Sequence, residues 1–158
     1  MIFPFRVYKT GTPIPSLGGA TVRHKPVIPI HVFGPGGVGV VPVLVDSGCD
    51  DVILPLTTAK QVGIDLTGAP VVQVQSMGGP SILVQFAPVL LQLFGGLAQV
   101  VRWRAVVGFG TVSFGPHRWG FLGIAGGLQY FSVWPDIANN QLHLDPMPNL
   151  LTTTATVP

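Results

Sequence analysis

Glycine and proline interrupt this chain every few residues. Its 158 residues include 21 glycines and 16 prolines, and the segments between them are rich in valine. Short β-branched runs bounded by turn formers are the pattern of an all-β domain built from many short strands. Phe3, Phe5 and Val7 alternate as in an edge strand, and residues 10–19, with prolines and paired glycines, read as a loop. Residues 27–33 and 38–45 read as two strands joined by a turn at Gly34-Pro35-Gly36-Gly37. Val52-Ile53-Leu54-Pro55 continues the core, and residues 57–62 have the length of one helical turn.

Further along, residues 71–74 and 82–86 flank Ser76-Met77-Gly78-Gly79-Pro80, a second hairpin with a flexible tip, and residues 89–93 and 100–107 follow as strands. The best helix candidate is 121–131, although Gly126 and Gly127 lower its propensity by about 1 kcal/mol each. Residues 131–137 and 141–144 form a last hairpin around Ala138-Asn139-Asn140. The expected organisation is an N-terminal strand and loop, 1–26, packed on a domain spanning 27–146. A tail, 147–158, is expected to be loose or to lie at a subunit interface. There is no internal repeat.

The size fits one domain. Apolar residues make up 47% and charged residues 9%, with no glutamate, and the mean hydropathy is +0.56. So sparse a charged surface implies that a partner subunit covers part of it. A net charge of +2, without runs, argues against a nucleic-acid partner. Cys49 is the single cysteine, which rules out an internal disulfide and fits a reducing compartment, with the cytoplasm as the expectation. The first six residues lack the basic-then-apolar order of a signal peptide. Residues 87–101 are broken by Gln92, Gln99 and two glycines, short of the roughly 20 apolar residues a membrane span needs.

Gly34-Pro35-Gly36-Gly37-Val38-Gly39 matches G-x-G-x-x-G, but a strand follows where a dinucleotide site needs a helix. The four histidines, 24, 31, 117 and 143, lie too far apart for metal-ligand spacing. No metal or cofactor is expected. Ser47 is not in a strand-to-helix elbow, and Cys49 is followed by two acids where a reactive thiol needs a positive setting. Asp46 stands out. It ends the apolar run Val43-Leu44-Val45, where an unpaired carboxylate costs several kcal/mol if buried, and so calls for a partner that shares its proton or charge.

With Leu44-Val45-Asp46-Ser47-Gly48-Cys49-Asp50-Asp51, the chain resembles the retropepsin-like aspartic proteases, the single-domain retroviral type, over roughly residues 27–146. This segment is similar to the family's Asp-Thr/Ser-Gly-Ala signature with its trailing acids. A flap-like Ser76-Met77-Gly78-Gly79 lies about thirty residues on. Gly120-Phe121-Leu122-Gly123 then resembles the second signature, two apolar residues and a glycine opening a C-terminal helix, before a closing strand pair.

The resemblance implies an all-β acid-protease barrel with a flap hairpin and one short C-terminal helix. It implies a peptide substrate, with Asp46 catalytic and Ser47 bonding across a dimer axis. Gly48 lets the backbone pass close to the reacting water. By the same resemblance, Asp50 and Asp51 bind substrate main chain, with loop solvation and local turn bonding as the equal alternative. Met77, Gly78 and Gly79 form a flap over the substrate, and Ile82, with Val52, Ile53 and Leu83, offers apolar pocket walls. Two departures stand out: Cys49 replaces a small residue, and Ile124 stands where retroviral enzymes carry an arginine paired to a loop acid. Arg118 or a basic residue of the partner chain is the expected substitute.

Acid-protease chemistry needs two carboxylates sharing a proton, and the chain has one Asp-Ser-Gly. A two-fold homodimer is therefore required. The expected function is a homodimeric aspartic endopeptidase. The alternatives are a catalytically silent dimeric β-barrel that binds peptides or an extended partner segment, and a purely structural oligomerisation module.

Overall fold

A computed structural model describes residues 1–75, 81–95, 99–111, 119–148 and 150. The first long hairpin pairs β4 (Val27–Gly34) with β5 (Gly37–Val45). Their residues alternate as a half-buried sheet demands: Ile28, Ile30, Val32, Val41 and Val43 are buried, while Val38 and Val40 face out. The glycines of the intervening turn serve packing. A Cβ on Gly34 would strike the Val62 carbonyl, and one on Gly39 would lie 2.9 Å from Val62 Cγ1. Gly36 N–H donates to the Val62 carbonyl at 2.8 Å. The turn is thus docked on the end of helix α1 (Leu56–Gln61), and no helix opens at the G-x-G-x-x-G.

β5 continues into β6 (Ile53–Pro55) through the Asp46 loop. After α1 come β7 (Val71–Gln75), β8 (Ser81–Phe94), β9 (Val100–Gly110) and β10 (Gly120–Leu122). The seven strands order as β4-β5-β10-β6-β9-β8-β7, and a further pairing of β4 with β8 closes the sheet on itself. Closure pairs the outer edge of β4, leaves β7 as an edge strand, and encloses a core led by Trp103, Phe109, Leu91, Leu93 and Leu122.

The two strands expected at 82–86 and 89–93 are one. β8 runs through Pro88, which falls between its pairings with β7, ending at Gln85, and with β4, starting at Leu90. A missing N–H breaks no bond in that gap.

A second sheet orders as β1-β12-β11, with β1 (Ile2–Pro4), β11 (Phe131–Asp136) and β12 (Gln141–Pro146). The third is a separate pair, β2 (Arg6–Ile14) and β3 (Ala20–Lys25). Here the expected loop at 10–19 is overturned. β2 runs on to Ile14, which is buried and pairs with Ala20, and a 3-10 turn at Pro15–Leu17 follows. Proline and glycine bend the strand across an irregularity between Lys9 and Ile14 without ending it.

The helix expected over 121–131 is also absent. Gly120–Leu122 is strand, Gly126 takes a left-handed φ of +74°, and a single 3-10 turn occupies Leu128–Tyr130. The bonds Leu128 N to Gly123 O (2.8 Å) and Gln129 N to Ile124 O (3.0 Å) tighten this segment into a knot of turns. The glycines that lower helix propensity are here required by close backbone approach, described next.

Candidate active site

β10 lies between β5, to which it is parallel, and β6, to which it is antiparallel. The connection from β5 to β6, residues 46–52, must therefore pass around the end of β10. Both sides of the strand end are fixed: Val45 N donates to the Pro26 carbonyl at 2.9 Å and Asp46 N to the Leu122 carbonyl at 3.2 Å. The chain then turns at once, with Cys49 N donating to the Asp46 carbonyl at 3.2 Å. Gly48 N donates to Asp46 Oδ1 at 2.9 Å, which orients the carboxylate from its own loop. On the return, Ile124 N donates to Cys49 O (2.9 Å), Ala125 N to Asp50 O (2.7 Å) and Val52 N to Ala125 O (3.3 Å).

The loop closes on a glycine. A Cβ at Gly123 would collide with the Asp51 carbonyl and lie 2.5 Å from the Cys49 carbonyl. Gly127 is nearly as confined, its Cβ position being 2.6 Å from the Gly123 carbonyl. Trp103, fully buried, donates from Nε1 to the Gly126 carbonyl at 2.8 Å and anchors the same segment. Gly127 and Trp103 carry no signal in the sequence that ties them to Asp46; only the threading of β10 does.

Asp46 is half-buried and Ser47 and Gly48 are exposed. Neither a second carboxylate nor a cation bonds to Asp46 among the described residues, and the Ser47 hydroxyl has no partner there. The structure thus brings Asp46, Ser47 and Gly48 together at an open surface, with Asp50 exposed and Asp51 half-buried beside them. Met77, Gly78 and Gly79 of the expected flap lie outside the described residues, as does Arg118. Ile124 is partly exposed, and no ion pair reaches Asp50 or Asp51 among the described residues. No group of three His, Cys, Asp or Glu side chains there could hold a metal ion, and no described helix is long and apolar enough to cross a membrane.

Ile82 packs with Ile53, Val84, Cys49 and Phe121 in a small cluster beside the main core. Two of the expected pocket walls are displaced. Val52 is fully buried in the main core, and Leu83, 66% exposed, alternates to the other face of β8. Ile53 is buried but shares the Ile82 cluster. Burial pushes the Cys49 thiol up, and the nearby carboxylates Asp46, Asp51 and Asp50 push the same way, against a smaller downward pull from the Asp51 backbone. Such a thiol is a poor nucleophile.

Asp51 lines a cleft of about 480 Å³ with Arg104, Phe86, Pro88 and Tyr130. Burial, and then the Asp50 charge, raise its carboxyl above the ordinary 3.8. A raised carboxylate destabilises the fold when ionised; its favourable contribution exists below the unfolded value and is lost as pH rises through the folded one. Asp51→Asn is therefore expected to raise the unfolding midpoint near about pH 7, with the gain vanishing at about pH 3. Urea unfolding at the two pH values checks this; a gain that persists at low pH would contradict it.

The solved structures similar to this chain include the following two. A retropepsin-like aspartic protease from Rickettsia conorii shares 18% identity, with 91% of this chain and 91% of that chain covered and a TM-score of 0.43. The resemblance is to retropepsin-like aspartic proteases. EIAV protease, complexed with the inhibitor HBY-793, shares 14% identity over 63% of this chain and 81% of its own, at a TM-score of 0.36. No family model and no curated protein matches the chain.

Proposed function

We propose that the chain is one half of a homodimeric aspartic endopeptidase. The observation that carries this is the Asp46 carboxylate, oriented by Gly48 N–H at an open strand end, in a chain with one Asp-Ser-Gly. Two such carboxylates about 3 Å apart across a two-fold axis cannot both ionise, so they share a proton. The ionised member takes a proton from water as its oxygen attacks the peptide carbonyl. The protonated member donates to the carbonyl oxygen. Collapse of the resulting diol breaks the C–N bond; the amine leaves with the proton that the first carboxylate took from water, and a diol hydroxyl returns its proton to the other carboxylate. The apparent pKa values belong to the pair. Ser47, exposed and unpartnered among the described residues, bonds across the axis, and residues 76–80 close over the substrate.

The substrate is an extended peptide that adds to the sheet by main-chain bonds, with apolar side chains near the Ile82 cluster. Ile82→Asp is expected to lower kcat/KM for apolar cleavage sites by about tenfold to a hundredfold. Product mapping by mass spectrometry checks it, and unchanged site preference would remove Ile82 from the pocket.

The dimer is tested by mixing. Wild type and Asp46→Asn combined in equal amounts at fixed total protein should retain about one quarter of the activity, because mixed dimers lack one carboxylate. Retention of half would mean independent monomers. One observation favours a silent peptide-binding dimer: Asp50 and Asp51 have no cationic partner among the described residues. A folded wild-type dimer that binds peptide without cleaving it, in conditions from about pH 4 to 7, would decide for that reading.

A further inference from the structure

β2 and β3 stand apart as a two-stranded arm. Such a pair is marginal alone, and this one is moored: the Tyr8 ring lies 4.5 Å from that of Trp119, and Lys25 Nζ sits 5.0 Å over the same indole. Its charge is one-sided. Arg6, Lys9, Arg23 and Lys25 are four of the chain's eight cations, whereas the first carboxylate in the sequence is Asp46. His24 adds a fifth basic group. Arg6 pairs directly opposite Lys25, and Arg23 opposite Tyr8, so three cations share one face within two rungs. Like charges directly opposed weaken a sheet, and among the described residues no carboxylate relieves them. Arg6, Lys9 and Arg23 are exposed.

The arm also has a fixed place. Pro26, immediately after β3, bonds through its carbonyl to Val45 N, one residue before Asp46. We propose that the β2–β3 arm is an exosite that holds an acidic segment of the polypeptide whose neighbouring stretch enters the Asp46 site. This rests on the protease reading of that site. A chain held at the root of the arm continues toward Asp46, and the free strand edges of the arm can add its backbone while Arg and Lys meet its carboxylates. Other polyanions fit less well. Trp119 is buried, and the half-buried Tyr8, packed edge-on against it, is the arm's own single aromatic ring, where single-stranded nucleic acid needs a row of rings on which successive bases stack. Ile14 is buried at the bend, and the exposed large apolar side chains of the arm are two valines, Val7 and Val22, and Leu17, with no exposed tryptophan or phenylalanine to enter a lipid surface.

The test uses the full chain carrying Asp46→Asn, which needs no turnover, and a fluorescent oligoglutamate peptide followed by anisotropy. Adding Arg6→Gln, Lys9→Gln and Arg23→Gln should weaken binding about tenfold, and raised salt should weaken binding to the unaltered arm. Lys60→Gln, an exposed cation on α1, should change nothing. In the catalytically intact chain, the three arm substitutions should raise KM for a substrate with an acidic flank and leave kcat, and a neutral substrate, unchanged. Equal peptide binding with and without the three cations would overturn the proposal. So would arm-dependent binding to phosphatidylserine vesicles or single-stranded DNA that is tighter than to the peptide. Peptide binding that depends on the arm, in a wild type that cleaves nothing, would overturn the protease reading and leave the arm as an acidic-segment site.

Discussion

Asp46→Asn is expected to abolish peptide hydrolysis in a chain that still folds. The amide cannot take a proton from water, so the acid–base step, worth about 10²–10⁴-fold, is lost. The remaining symmetric carboxamide pair cannot share a proton, and among the described residues no second acid is bonded to Asp46 that could take over. Folding should be spared for a geometric reason. Asn retains an Oδ1 that accepts from Gly48 N, now held at 2.9 Å, and the side chain is only half-buried, so stability should move by no more than about 0.5 kcal/mol. The measurement is cleavage of an unfolded, apolar-rich protein by wild type and variant, with urea midpoints alongside. Full activity in a folded variant would mean that another residue carries the chemistry. Activity lost together with the fold would mean that Asp46 is structural.

Gly123→Ala should have the largest effect on stability. The added methyl meets two backbone carbonyls of the Asp46 loop, those of Asp51 and Cys49, and backbone cannot rotate away as a long side chain can. Relief requires β10 to move from between β5 and β6, which breaks Ile124 N to Cys49 O and Ala125 N to Asp50 O. A loss of about 3 kcal/mol or more is expected, large against a typical stability of about 5–15 kcal/mol. Gly68→Ala is the control. That residue has open space around it, and its φ of +72° limits the loss to strain, about 1 kcal/mol. Urea unfolding separates the two, and a Gly123→Ala chain as stable as the control would show that the loop does not grip β10.

Much of the sheet was legible because burial imposes period two. The β4–β5 hairpin, the β11–β12 hairpin and the single turn of α1 fall where the sequence places them. The failures share a cause. At 10–19 and 121–131, glycine and proline have two meanings, and local pattern cannot choose between them. In β2 they bend a strand whose Ile14 is buried; after β10 they make room for a passing backbone. Val52 turns into the main core and not toward a pocket for a related reason, since the direction of a side chain in an apolar run depends on which strand it pairs with.

Composition and the Asp-Ser-Gly after an apolar run determined, by themselves, an all-β chain with one candidate carboxylate per copy. That follows from short-range physics, namely turn propensity, alternation and the cost of a charge beside a strand. Tertiary structure alone decided that β10 enters between β5 and β6 and that Gly123 is the clamp. It also decided that Arg6, Arg23 and Lys25 share one face of an arm rooted beside Val45. Those relations join residues up to about eighty positions apart through strand pairing, and register between distant strands is a property of the closed sheet, not of any one segment.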